Sequence, residues 1–227
     1  MKKIVLFLFI THVSMGQSYS HTSVWSRLFL SKQLGNWIIS GDVAYRRQNN
    51  YHDSKLNFVQ NPLLDAQRFT VAYRHEKWQF SFATSRWHSY QLLGKEADFE
   101  KTPTVEWRFT PGVEFFQKIN KGTFQWRTQY EYRIFVDRTA GRFRQRFQYR
   151  QPISKTNDLV FLQEFLFGSP PNSTKRYDQN QLGITFNHFF TKKLESEIGY
   201  RYIYRKRRNT TETDHEDALV VGLMLRL

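Results

Sequence analysis

The chain has 227 residues, with 34 Lys and Arg against 20 Asp and Glu, a formal charge of +14, 17% aromatic residues and no cysteine. That aromatic content excludes a disordered basic tail, since chains that stay unfolded lack apolar surface to bury. Without an apolar run of roughly 20 residues it is not a helical membrane protein, and without cysteine it has no disulfide, thiolate nucleophile, Cys-ligated zinc or iron–sulfur cluster.

Two readings survive: a soluble nucleic-acid binder, or a chain whose hydrophobic residues are placed singly on a surface. Met1-Lys2-Lys3, the apolar run Ile4 to Ile10 and the small residues Ser14 and Gly16 describe a secretory signal peptide. With the cut after Gly16, the expected organisation is a signal peptide at 1–16 and one domain at 17–227. Loss of Lys2 and Lys3 lowers the formal charge from +14 to +12, and export argues against a nucleic-acid partner.

From Asn36 onward apolar and polar residues alternate with the period of a β-strand. Trp37, Ile39, Val43 and Tyr45 share one face, and Ser40, Asp42, Ala44 and Arg46 the other. The pattern recurs at Arg68 to Arg74, Trp78 to Ser85, Glu106 to Phe115, Phe124 to Ile134 and Phe143 to Arg150. It continues at Leu159 to Phe167, Leu182 to Asn187, Leu194 to Arg205 and Leu219 to Leu227. These are ten strands, each with a greasy face and a wet one. A soluble sandwich would bury the greasy faces in a dry core between two sheets. Here the wet face is too charged for any core, and segments of about ten alternating residues are the mark of a transmembrane β-barrel. Hydrocarbon tolerates no open sheet edge, so the sheet must close.

The expected fold is therefore all-β: a closed antiparallel transmembrane barrel of 10–12 strands with short periplasmic turns and longer extracellular loops. Glu76-Lys77, Ile119 to Gly122 and Phe190 to Lys193 are short links. Asn49 to Gln67, Gln91 to Thr104, Ser169 to Asp178 and Lys206 to Asp217 are long. Trp37, Trp78, Phe115, Phe124 and Phe189 flank the short links, and Tyr45, Trp107, Tyr132, Phe167, Tyr202 and Tyr204 the far ends. They read as aromatic belts at two membrane interfaces. An eleventh amphipathic segment, His21 to Ser31, upsets the even strand number usual for bacterial barrels. It reads as a plug, a lumen-threading arm, or a sign of one more strand within 17–21 or 51–60.

"LSKQLGNWIISGDVAYRRQ" (Leu30 to Gln48), "RFRQRFQYRQPI" (Arg142 to Ile153), "YDQNQLGITFNHFFTKKLESEIGYRYIYR" (Tyr177 to Arg205) and "HEDALVVGLMLRL" (His215 to Leu227) together resemble the Bacteroidetes outer-membrane family labelled domain of unknown function 2490. The resemblance covers nearly all of 17–227. It implies an outer-membrane barrel, porin-like in architecture, and implies no activity or catalytic residue. The last strand also resembles the terminal signal read by the barrel-assembly machinery, although it ends in Leu227 where an aromatic is commoner.

With the aromatic faces turned to lipid, the inward charges are Arg46, Arg68, Arg74, Arg108, Arg127, Arg133, Arg144, Arg146, Arg150, Arg201, Arg205 and Arg226, against Asp42, Glu106, Glu114, Glu131, Glu164, Glu195 and Glu197. They describe either a structural ion-pair network filling a narrow barrel or a narrow anion-favouring pore. In the second case Arg144, Arg146 and Arg150 form its ladder, and a surplus of five positive charges its motive. A lipid hydrolase is the enzymatic alternative, with His75 or His88 as base to Ser81, Ser85 or Ser89, though no flanking motif supports it. The chain reads as a non-enzyme with no cofactor and no metal set, Asp214 to Asp217 being taken as solvated loop. Its partners are membrane lipid, the barrel-assembly machinery through the C-terminal strand and, through Lys206-Arg207-Arg208 and Lys175-Arg176, lipopolysaccharide phosphates.

Overall fold

A strand with one apolar face still carries a row of backbone donors and acceptors on each edge, and only pairing on both edges satisfies them all. The computed structural model describes residues 17–169, 177–207 and 211–227, and the segment read as a signal peptide, 1–16, lies outside the described residues. The alternating stretches form β1 (Ser18–Leu34), β2 (Trp37–Gln48), β3 (Asn61–His75), β4 (Trp78–Ser89), β5 (Thr104–Ile119), β6 (Gly122–Phe135), β7 (Thr139–Pro152), β8 (Asn157–Ser169), β9 (Tyr177–Phe189), β10 (Leu194–Lys206) and β11 (Thr213–Arg226). Each pairs with its sequence neighbours and β1 pairs with β11, closing an eleven-stranded barrel. Strands of 12 to 17 residues exceed the 9–11 that a tilted strand needs to cross a bilayer.

The segment from His21 to Ser31 is neither plug nor arm. It is the middle of wall strand β1, antiparallel to β2 and parallel to β11 from Ser18 opposite Thr213 to Ser31 opposite Arg226. Residues 51–60 hold no strand. Eleven lies within 10–12, but an odd number makes the first and last strands run the same way. The seam is accordingly parallel and the barrel mixed, not antiparallel throughout.

Turn-side links are short: 35–36, 76–77, 120–121, 153–156 and 190–193. The first residues of three of them, Gly35, Glu76 and Asn120, take left-handed φ values of 60°, 50° and 55°, as tight hairpins require. Loop-side links 49–60, 90–103 and 207–212 are longer, whereas 136–138 is short. A single 3-10 turn, Glu96–Asp98, sits in the second of these loops. Thr213 opens β11, so the last link ends before the Asp217 expected of it.

The outer face is apolar and open: Phe69, Phe80, Phe82, Ile184 and Leu223 are all exposed. The belt residues Trp37, Trp78, Trp107, Phe124, Tyr132, Tyr202 and Tyr204 share that face. Phe189 does not. It pairs with inward Glu195 and lies under the guanidinium groups of Arg150 and Arg226.

Candidate functional site

All sixteen charged side chains assigned to the lumen (Arg46, Arg74, Glu106, Arg108, Glu114, Arg127, Glu131, Arg133, Arg144, Arg146, Arg150, Glu164, Glu195, Glu197, Arg201 and Arg205) stand on the inner parity of their strands. Most join through carboxylates that are almost fully buried. Glu164 (0% exposed) receives Arg144 at 2.8 Å, Arg146 at 3.1 Å and Arg127 at 3.3 Å. Glu131 receives Arg142 at 2.6 Å and Arg144 at 2.7 Å, with Arg108 at 3.7 Å. Glu106 holds Arg108 at 2.5 Å and Arg133 at 2.6 Å. Near the turn side Glu195 takes Arg150, Arg226 and Asn187, and Arg150 also reaches Asp158 at 2.9 Å. Desolvating a carboxylate costs several kcal/mol, and only several well-placed donors offset that cost. The proposed ladder Arg144, Arg146 and Arg150 is thus tied into carboxylates, not presented to a channel.

The wall of β2–β4 differs. Asp42 holds Arg68 at 2.8 Å and Arg27 at 3.3 Å, but Ser40, Ala44, Ala66, Thr70, Ala72, Ser81 and Ala83 fill most of the remaining inner positions. Arg74 is exposed at the turn-side rim, donating to Gln79 at 2.9 Å and lying over Phe116. Glu114 accepts from Gln125 and Gln79.

Some members of the network escape sequence reading. Arg27, Arg142, Asp158, Asp214 and Glu216 also face inward, and they reduce the surplus of positive charge from five to four. Asp214 to Asp217 is not a solvated loop. Asp214 and Glu216 are buried at the start of β11, while His215 and Asp217 face outward and bond Tyr202 and Tyr200. Glu216 accepts from Ser23 at 2.5 Å, Trp25 Nε1 at 2.8 Å and Arg205 at 3.0 Å, with His21 at 3.7 Å. Continued alternation through these acidic residues was the available signal. Their polarity concealed it.

The loop-side mouth is filled. The Arg46 guanidinium lies 3.5 Å over the Trp25 ring and that of Arg108 lies 3.7 Å over Trp87, both well within the roughly 6 Å reach of a cation–π contact. Ile203 is buried beside Trp25, and Leu64 beside Trp87. Loop 90–103 folds across the top: Gln48 donates to Gln91 O at 2.7 Å and accepts from Leu93 N at 3.3 Å. Arg207 joins both oxygens of Asp98 at 3.0 Å and Asp214 at 2.8 Å, Lys101 adds 2.8 Å to Asp98, and Lys95 holds Glu212 at 2.7 Å. Burial works to raise the Asp98 carboxyl, but Lys101 and Arg207 outweigh it and hold it below its ordinary range. Arg207, read from the sequence as a surface charge, is thus committed inward to Asp98 and Asp214. Lys206 lies beside Tyr177 at the rim, while Lys175, Arg176 and Arg208 lie outside the described residues.

Beneath this closure a cavity of about 480 Å³ remains. Its lining runs from Trp25, Arg46 and Trp87 down to Ser31, Arg74, Gln79 and Arg226 at the turn-side ends of the strands, so it is blind above and opens toward the turns.

The hydrolase candidates are not brought together. Ser81, Ser85 and Ser89 face the lumen, whereas His75 and His88 face outward on the same hairpin. His88 lies 3.9 Å from Asp65, also outward. Among the described residues no group of three or more His, Asp and Glu could hold a metal.

A family model described as "Protein of unknown function (DUF2490)" matches residues 22–214, which is most of the chain, so the chain belongs to that family. No curated protein matches, and no solved structure matches.

Proposed function

We propose that this DUF2490 member is an outer-membrane barrel that is closed, a structural and non-conducting wall element in place of a through-pore. The observation that carries this reading is the filled loop-side mouth, where the Trp25–Arg46 and Trp87–Arg108 stacks lie under the Asp98–Arg207 clamp. Barrels of eight strands are filled by side chains and those of sixteen or more leave a channel, and eleven lies on the filled side. Membrane placement is supported by the exposed Phe, Leu and Ile skin between rows of Trp and Tyr. Lipid is then the partner of the outer face, and the barrel-assembly machinery that of β11.

Two measurements test the proposal. A heat-modifiable band in the outer-membrane fraction is expected, and its absence there overturns the placement. In planar bilayers the purified protein is expected to give no conductance steps. Stable anion-selective steps would restore the narrow-pore reading, for which the surplus of positive charge is the motive.

A further inference from the structure

The blind cavity has an unusual charge balance. Nine arginines and five carboxylates line it, and the carboxylates are distributed unevenly. Glu131 and Glu164 are saturated by the arginines of β6 and β7, and Asp42 by Arg27 and Arg68. Three lining arginines have no carboxylate partner: Arg74, exposed at the turn-side rim, and, deeper in the cavity, Arg46 and Arg201. Arg46 contacts the Trp25 ring at 3.5 Å, and Arg201 lies 5.3 Å from the same ring. Among the described residues neither has a carboxylate within ion-pair distance. The Arg201 Nε is fully buried and makes no hydrogen bond, and the same holds for Arg144 Nε, whereas Arg27 Nε lies 3.3 Å from Asp42. Arg201 lies within electrostatic reach of Arg146 and Arg27 and also of Glu197 and Glu164, so its charge is offset only at a distance, with no carboxylate in direct contact.

Clustered guanidinium groups with free donors, lining a cavity closed on the loop side, are satisfied by oxyanions, whose paired oxygens match the guanidinium fork. The opposite wall supplies the room. Ala44, Ala66, Ala72, Ser81 and Ala83 leave empty the volume that arginines occupy across the lumen, and about 480 Å³ is within the range of small-molecule sites. We infer that the cavity is a binding site for a small, multiply charged oxyanion, a phosphate ester or polycarboxylate, entering from the turn side and held by Arg46 and Arg201. Trp25 forms the floor of the site, fixing Arg46 through its ring face and donating its own N–H to Glu216. The inference rests on the closed mouth of the proposed function and not on membrane placement.

The test is calorimetric titration of the refolded full chain in detergent at low salt with inorganic phosphate, pyrophosphate and citrate. Saturable binding of at least one probe is expected, weakening as salt is raised. Preference for pyrophosphate over citrate, or the reverse, assigns the ligand class. Arg201→Gln and Arg46→Gln break no direct ion pair and are each expected to weaken binding about tenfold or more, with heat-modifiable migration retained. Ala83→Leu, which fills the cavity from the far wall, should abolish binding without touching an arginine. Arg138→Gln, at the loop-side rim beside Asp137, should change nothing. The inference is overturned if no probe binds the folded barrel, or if binding is unaltered in all three lumen variants. A barrel that conducts yet binds in this arginine-dependent way would sink the closed-barrel reading alone, and one that is silent in bilayers and binds nothing would sink this inference alone.

Discussion

The two walls of this barrel solve the same problem with different volumes. The inner face of β6–β8 presents Arg127, Glu131, Arg133, Arg142, Arg144, Arg146, Arg150 and Glu164, long side chains that meet across shared carboxylates, with Arg133 reaching Glu106 of β5. The inner face of β2–β4 presents Ser40, Ala44, Ala66, Thr70, Ala72, Ser81 and Ala83, and the cavity lies against it. Both walls are wet in pattern and read alike by alternation. Side-chain size, not polarity, decides which part of the lumen is solid and which is hollow. Stability should therefore reside in the first wall and available space in the second.

The largest effect is expected from Glu164→Gln, which leaves Arg127, Arg144 and Arg146 facing one another without their shared carboxylate. A loss of roughly 3–5 kcal/mol is expected, read as a shift in the urea midpoint of the detergent-folded barrel, and a shift no larger than that of a surface variant would break the comparison. Next comes Arg207→Ala, which strands buried Asp214 and leaves Asp98 to Lys101 alone among the cations. It is expected to cost about 2–3 kcal/mol and to open loop 90–103 to protease before the strands unfold.

Acid should open the same clamp more gently. Asp98 has its carboxyl pK lowered on folding, so the stabilisation is fully present above the unfolded value, about 3.9, and is lost as pH falls through the lower folded value. Proteolysis within 90–103 should thus stay constant down to about pH 4 and rise below it, while Asp98→Asn should already be susceptible at neutral pH. The smallest effect is expected in the hollow wall. Ala72→Val, beside the cavity, should change the unfolding midpoint by less than about 1 kcal/mol, and a penalty comparable to that of Glu164→Gln would show that the two walls are not different in kind.

Much of this was legible beforehand because a barrel wall enforces strict period-2 placement, so parity alone sent every one of the assigned lumen charges inward. What parity could not show was pairing across the lumen. Glu164 and Arg127 lie on strands separated by β7, and their 3.3 Å contact depends on barrel radius and tilt. Nor could it show closure. The start of β11 looked like loop because Asp214 and Glu216 are acidic, and they can be buried only because Arg207 and Arg205 reach them. Arg207 looked like surface charge for the same reason. Phe189 looked like a belt residue because an aromatic near a turn is usually one, but its register with Glu195 turns it inward.

The parallel seam carries a consequence for assembly. Every other joint in the wall links strands adjacent in sequence, and such hairpins can form one after another. The joint between Ser18–Ser31 and Thr213–Arg226 links residues nearly two hundred positions apart, so it has the greatest loop-closure cost in the molecule. Its parallel ladder is also slightly weaker per residue than the antiparallel ones. The seam is accordingly the last joint to close and the first along which the cylinder would part. Its residues Ser23, Trp25 and Glu216, bonded across that line, act as the latch of the folded barrel.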